Sequence, residues 1–286
     1  MNTIVLEGGL GNRMRVAAAA YTMAQRLAAT KPTAPPFRVL WTRQWGMSCR
    51  FDDLFQPFSF DAIGTPEGFS LRDARGLEVL LFARAKASNL WLPRLLQRLC
   101  YRHIILSPQI YYLQRDGFDF ETWFRQDGTL MTAYRDFCEW DDGLIPFLCL
   151  PLPAIEWEVS ARAAAFTPYT IGLHIRRTDN QASIDASPVE LFFDVVDREL
   201  AEHDDLHVYL ATDDEPTKTF FRQRYGSDRI QTAPSQATRD SVAGIREALI
   251  EMLLLARTSH VYGSAGSTFS EIAVKFSGTP LTILQR

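Results

Sequence analysis

The sequence predicts an α/β fold built on parallel sheets and divided near residues 146–153 into two domains, 1–150 and 151–286. Three observations carry that expectation. The chain opens as strand, glycine turn, helix, strand, the start of a parallel α/β unit. Its second half repeats strand–helix units almost to the last residue. Between the two patterns, Pro146, Pro151 and Pro153 crowd one short segment. A length of 286 residues accommodates one large α/β domain or two modest ones.

In order, residues 3–6 form a short β-type run that Gly8-Gly9-Leu10-Gly11-Asn12 interrupts. Residues 13–29, rich in Ala, Met and Leu, read as a helix ended by Thr30-Lys31-Pro32. Residues 37–41 read as the second strand. From Trp45 to Phe166 the pattern is aromatic and arginine-rich, with helix-like stretches at 77–86 and 91–101. There Trp45, Trp91, Tyr111, Tyr112 and Trp123 are read as core packing in preference to sugar stacking. The second half is regular. Strands are expected at 169–175, 206–212, 229–232, 260–262 and 281–284, and helices at 188–201, 215–224, 239–257 and 267–276. Parallel sheets of this kind take ligands beyond the carboxyl ends of their strands.

Composition excludes several classes. Hydrophobic residues make up 47% and charged residues 22%, an ordinary globular balance that argues against global disorder. A net charge of −4 gives no bulk attraction to nucleic acid or to an anionic membrane, so an anionic ligand would need a local cluster of cations or amides. Cys49, Cys100, Cys138 and Cys149 lack the spacing of zinc or dithiol motifs and are read as free buried thiols. The N-terminus lacks the basic start and apolar run of a secretory signal, and no stretch approaches a membrane span. A soluble cytoplasmic protein is expected.

Five features could carry chemistry. The first is His174-Ile-Arg176-Arg177-Thr-Asp179-Asn180 at the close of a strand. Alternation puts His174 and Arg176 on one side and Arg177 on the other. A guanidinium fork suits a diphosphate oxygen, although a surface Arg–Asp pair beside a core histidine would leave the same string. Second, Tyr262-Gly-Ser-Ala-Gly-Ser267-Thr268-Phe-Ser270-Glu271 reads as strand, small-residue turn and helix. Ser267 is placed to cap that helix, whose start is also an anion site. Third, the glycine turn satisfies part of a dinucleotide fingerprint, with Met14 where a third small residue belongs. Fourth, Asp213-Asp214 ends a strand; capping by Asp214 is preferred over a metal site. Fifth, Glu251 stands among apolar neighbours in a helix, where an acid is costly unless it faces a cleft, a partner or solvent.

Together these strings resemble the GT-B superfamily of α-1,6-, α-1,2- and protein O-fucosyltransferases, most closely the core and nodulation-type α-1,6 enzymes. His174-Ile-Arg176-Arg177-Thr-Asp179 is similar to their histidine–arginine motif, and 208–214 to their next strand. Residues 251–273 resemble their last motif, and Gly8-Gly9-Leu10-Gly11-Asn12 resembles the opening of the α-1,2 branch. The likeness covers roughly residues 3–28 and 170–275 and leaves the middle unmatched.

The resemblance implies a GT-B-like chain: two Rossmann-type domains whose parallel sheets face across a cleft, domain 1–150 on the acceptor side and domain 151–286 binding a GDP-sugar. It implies an inverting, metal-independent transfer of fucose from GDP-fucose to a glycan hydroxyl, with no cofactor. Arg176 would bind the β-phosphate and stabilise departing GDP, and His174 would touch the nucleotide. Glu251 would read guanine, Ser267 and Thr268 would hold phosphate, and Gly9 and Gly11 would line the cleft. Asn12, Arg177 and Asp213 complete the donor set. Asn180 stands where the α-1,6 pattern carries lysine, which leaves Asp179 and Asp185 as candidates for the general base. The acceptor is expected to be a lipid-linked or soluble glycan, with peripheral membrane association in the lipid-linked case. A transferase using another GDP-sugar such as GDP-mannose, or a non-catalytic nucleotide-binding regulator, are the alternatives.

Overall fold

The computed structural model describes residues 1–30, 35–44, 46–58, 65–82, 91–178, 180–234 and 238–286. The chain separates into two compact units, Met1–Leu152 with Arg239–Val242 and Pro153–Thr238 with Ala243–Arg286.

The first unit runs β1 (Asn2–Leu6), α1 (Leu10–Thr30), β2 (Phe37–Trp41), β3 (Ser70–Asp73), α2 (Leu77–Phe82), α3 (Trp91–Cys100), β4 (His103–Ile105), α4 (Ser107–Arg115), α5 (Phe120–Phe124), β5 (Thr129–Ala133) and α6 (Leu144–Leu148). Its sheet has the order β3-β2-β1-β5-β4, all parallel, with Val5 opposite Leu40 on one side and Thr132 on the other. All five residues of β1 are buried, as a central strand covered on both faces requires. The alanine run Ala17–Ala20 in α1 is buried as well; small side chains let that helix lie close to the sheet. Arg239 joins this unit through its carbonyl, which accepts the Ser48 N–H at 3.3 Å.

The second unit runs α7 (Pro153–Ala163), β6 (Thr170–Ile175), α8 (Gln181–Ala186), α9 (Glu190–Glu202), β7 (His207–Thr212), α10 (Glu215–Tyr225), β8 (Ile230–Thr232), α11 (Val242–Leu255), β9 (Val261–Ser264), α12 (Thr268–Lys275) and β10 (Leu281–Leu284). Its parallel sheet has the order β10-β9-β6-β7-β8. From β6 the chain builds outward to β7 and β8, then returns to β9 on the other side of β6. The strand order therefore reverses between β6 and β9, the position at which open α/β sheets leave a crevice at their carboxyl ends.

Alternation along β6 sets its two faces. Ile171, Leu173 and Ile175 enter a core with Val208 and Leu210 of β7, Phe192, Val195 and Val196 of α9, and Phe221 of α10. Each such side chain, fully buried, stabilises the unit by roughly 1.5–3 kcal/mol. Gly172 and His174 point the other way, toward α11 and α12.

Several expectations are corrected. Helix α1 begins at Leu10, so Gly11 and Asn12 belong to the helix and the turn proper is Gly8-Gly9. Helix α11 starts at Val242, three residues later than predicted. Trp123 is buried, but Trp91, Tyr111 and Tyr112 are exposed, and Trp45 lies outside the described residues. All four cysteines are free, yet Cys100 is exposed, because α3 buries none of its residues. The predicted stretch 83–86 lies outside the described residues.

Candidate functional site

The switch point of the second unit gathers most of the predicted polar residues. β6 ends at Ile175, and the backbone N–H of Arg176 donates to Ser264 Oγ at 3.1 Å, while that hydroxyl donates to the His174 carbonyl at 3.3 Å. Ser264 closes β9 and is wholly buried, so one hydroxyl stitches the tips of two neighbouring strands together. The His174 ring stacks on Phe269 in the first turn of α12, centroids 4.8 Å apart. The strand bearing Arg176 and the helix headed by Ser267 and Thr268 are thus joined directly.

On the other side of β6, Asp213 ends β7. Its Oδ1 accepts the Arg177 N–H at 2.9 Å, its Oδ2 accepts the Thr178 hydroxyl, and Arg176 Nε lies 3.8 Å from Oδ2. Asp213 therefore holds the backbone after β6 and orients Arg176. With 18% of its side chain exposed, Arg176 is a partly desolvated cation, which strengthens its pull on an anion. Asp214 caps α10, accepting from Thr217 N–H at 2.9 Å and Thr217 Oγ1 at 2.6 Å.

Ser267 is the N-cap residue of α12, but its side chain makes no capping hydrogen bond, contrary to the capping expected of it. The first N–H groups of that helix lack intrahelical acceptors and present the positive end of the helix dipole. Close approach of α12 to β9 depends on Gly263. A Cβ there would lie 2.5 Å from Ser270 Oγ and 2.9 Å from Ser270 Cβ.

Two titratable groups line the same face of the sheet. His174 is buried and its Nδ1 has no hydrogen-bond partner among the described residues. Burial, reinforced by the nearby Arg176 charge, lowers its pKa to about 4, so the imidazole is neutral at physiological pH. Glu251 of α11 is buried, not on a solvated helix face. Burial raises its pKa to about 8 against the pull of Lys218, and Asp213 lies within electrostatic reach. Lys218, a buried lysine on α10 3.2 Å from Glu215 and within electrostatic reach of Glu251, and the buried Ser264 were not picked out from the sequence. The signal for Lys218 was its place beside Thr217 and Phe221 on the buried stripe of α10.

Asp179 lies outside the described residues. Asp185 is exposed on α8, where its Oδ1 accepts from Gln181 at 2.7 Å. In the first unit, Gly8 adopts a φ of +79°, and a Cβ built on Gly9 meets nothing within 4 Å, so that turn has an open side. Gly11 is buried in the first turn of α1, which removes it from the open part of the motif. Asn12 Oδ1 is buried without a partner among the described residues. Arg13, read from sequence only as the start of the helix, is fully buried. Its Nε and Nη1 donate to the carbonyls of Gly8 and Thr42 at 3.0 and 2.8 Å, and its guanidinium lies 4.8 Å from the Trp41 ring centre. It pins the glycine turn from below. Among the described residues no group of three or more His, Cys, Asp or Glu side chains is placed to hold a metal ion.

The two parallel five-stranded sheets, with a polar cluster at a switch point, define the GT-B class of α/β fold seen in fucosyltransferases. Particular structures sharing it include NodZ α-1,6-fucosyltransferase soaked with GDP-fucose, at TM-score 0.62 and 17% identity over 96% of this chain and 92% of that one. NodZ from Bradyrhizobium gives TM-score 0.60 at 18% identity over 96% and 92%. A variant of Arabidopsis thaliana FUT1 in complex with GDP gives 0.58 at 15% identity, covering 100% of this chain and 70% of that one. POFUT1 in complex with GDP gives 0.55 at 10% identity over 99% and 98%. At these identities the likeness is one of fold. No family model and no curated protein matches the sequence.

Proposed function

We propose that the chain is an inverting, metal-independent glycosyltransferase that moves fucose from GDP-fucose to a glycan hydroxyl. The observation that carries this reading is the junction at the switch point: Arg176 at the tip of β6, tied through Ser264 to β9 and through His174 and Phe269 to the start of α12. A guanidinium at one strand tip and a helix start at the neighbouring tip together suit two linked phosphates.

In this reading Arg176 takes the β-phosphate, and Ser267, Thr268 and the α12 amides complete the cradle. Arg177 adds positive charge, and Asp213 keeps both arginines in position. The neutral imidazole of His174 offers one hydrogen bond to the nucleotide without adding charge. Glu251 accepts the paired N–H groups of guanine's edge. Fucose leaves through an oxocarbenium-like transition state, so charge builds on the departing diphosphate, and the fixed guanidinium and amide donors there lower the barrier without a metal ion. Either Asp179 or Asp185 serves as the general base that takes the acceptor proton. The first unit takes the glycan, soluble or lipid-linked, and the open side of Gly9 lets a ligand approach the backbone there. Solved fucosyltransferases of this fold in complex with GDP or GDP-fucose support the choice of nucleotide.

Release of GDP from GDP-fucose and from GDP-mannose, by wild type and Arg176→Ala, tests the assignment. GDP-fucose should be consumed preferentially. Arg176→Ala should raise the barrier by roughly 2–4 kcal/mol, a loss of about one and a half to three orders of magnitude in rate, with little change in Tm. A variant with near-normal rate would remove Arg176 from the mechanism. Preference for GDP-mannose would change the donor, and binding without consumption of either sugar nucleotide would favour the non-catalytic alternative.

A further inference from the structure

We propose that the outward face of α3, with α2 beside it, docks on the surface of an anionic phospholipid bilayer.

No residue of α3 is buried. Trp91, Leu92, Leu95 and Leu99 are exposed by 64, 41, 47 and 75%. At the angular step of an α-helix these four fall within an arc of about 100°. The side turned to the protein carries Pro93, Leu96 and Gln97, which are half-buried, and Gln97 Nε2 fixes the helix by donating to the Leu81 carbonyl of α2 at 2.8 Å. The amphipathic pattern is thus the reverse of that of a surface helix in a globular protein, whose apolar stripe faces the core. Leu77, Val79 and Leu80 of α2 are exposed as well. Apolar area of this kind, gathered on two adjacent elements, marks an interaction surface.

Charge selects the partner. Among the described residues between 75 and 102 the chain carries Arg75, Arg94, Arg98 and Arg102 against one acid, Glu78, although its net charge is −4. That acid is turned inward: Glu78 accepts from both Arg72 Nη atoms at 2.7 and 2.8 Å and from Arg38. Arg94 and Arg98 are exposed and border the apolar stripe on one side. An apolar stripe with tryptophan at its start and a cationic border is the pattern of a helix lying in the headgroup region. A second copy of this chain fits less well, since a two-fold contact through this face would bring like charges together. Insertion across the bilayer is a different matter: among the described residues no helix is long and apolar enough to cross a membrane.

The proposal stands independently of the transferase reading, and its test needs no sugar nucleotide. The full chain is sedimented with vesicles of phosphatidylcholine alone and of phosphatidylcholine with about a third phosphatidylglycerol, at low and high salt. Wild type should partition onto the anionic vesicles, weakly onto the neutral ones, and less at high salt. Arg94→Glu with Arg98→Glu, and separately Leu95→Ser with Leu99→Ser, should each reduce partitioning roughly tenfold or more. Both pairs are exposed, and an unchanged Tm would confirm that the fold is intact. Absence of wild-type binding, equal binding to neutral vesicles, or binding indifferent to both double variants would overturn the proposal. So would a dimer in solution that Leu95→Ser with Leu99→Ser dissociates while vesicles capture nothing.

Discussion

His174 and Glu251 are both titratable groups forced out of water, and both settle on their uncharged forms, at opposite ends of the pH scale. Burial lowers the imidazole to about 4 and raises the carboxyl to about 8, so at neutral pH both groups are uncharged beside Arg176 and Lys218. A carboxyl that must accept two guanine N–H donors has to be ionised. Binding then releases a proton whenever the free protein holds Glu251 protonated. GDP affinity should therefore rise with pH by up to roughly tenfold per unit below about 8 and level off above it. The phosphates of GDP titrate too, so the informative quantity is the ratio of wild-type to Glu251→Gln affinity across the same buffers. That ratio should climb toward pH 8. A ratio flat with pH would mean that Glu251 does not meet the base in ionised form. The same shift acts on stability. A folded-state pKa above the unfolded value gives a contribution fully present below about 4.5 and lost as pH rises through about 8.

At the scale of elements, the approach of α12 to β9 is set by one missing methyl group. Gly263→Ala would place a Cβ 2.5 Å from Ser270 Oγ, and Ser270 is wholly buried with little room to move. Overpacking of this kind should cost about 1–3 kcal/mol in urea unfolding, and Ser270→Ala should restore part of it. An unaffected midpoint would show that α12 can shift freely, and the cradle would lose its rigidity. Elements such as these were the legible part of the sequence. The strands from 170 to 284 and helices α9 to α12 lie within a few residues of expectation, because each strand is a compact apolar run and α10, for one, is bracketed by Asp214 and Gly226, whereas the short α8 was not expected. The middle of the first unit was not legible, because its elements are short: β4 has three residues and α5 and α6 five each, too few to establish a period. Helix α3 was legible as a helix but not as an exposed one, since periodicity fixes a stripe without saying which way it faces. Arg13 was missed for a related reason. Nothing in a lone arginine after a glycine turn announces that two carbonyls and a tryptophan will enclose it.

For the molecule as a whole, both units use one plan, a five-stranded parallel sheet whose central strand is buried on both faces and ends in a polar turn. Both sheets reverse their strand order beside their first strand, and in the second unit that switch point stitches together an arginine, a buried serine and a helix start. The account rests on that junction binding a guanosine diphosphate. Calorimetric titration of the full chain with GDP, UDP and ADP in the presence of a chelator measures this most directly. The account predicts GDP binding without added metal, roughly tenfold or more tighter than either competitor, because a buried carboxyl left without guanine's donors penalises other bases. Equal binding of all three nucleotides, or no binding of GDP, would contradict it.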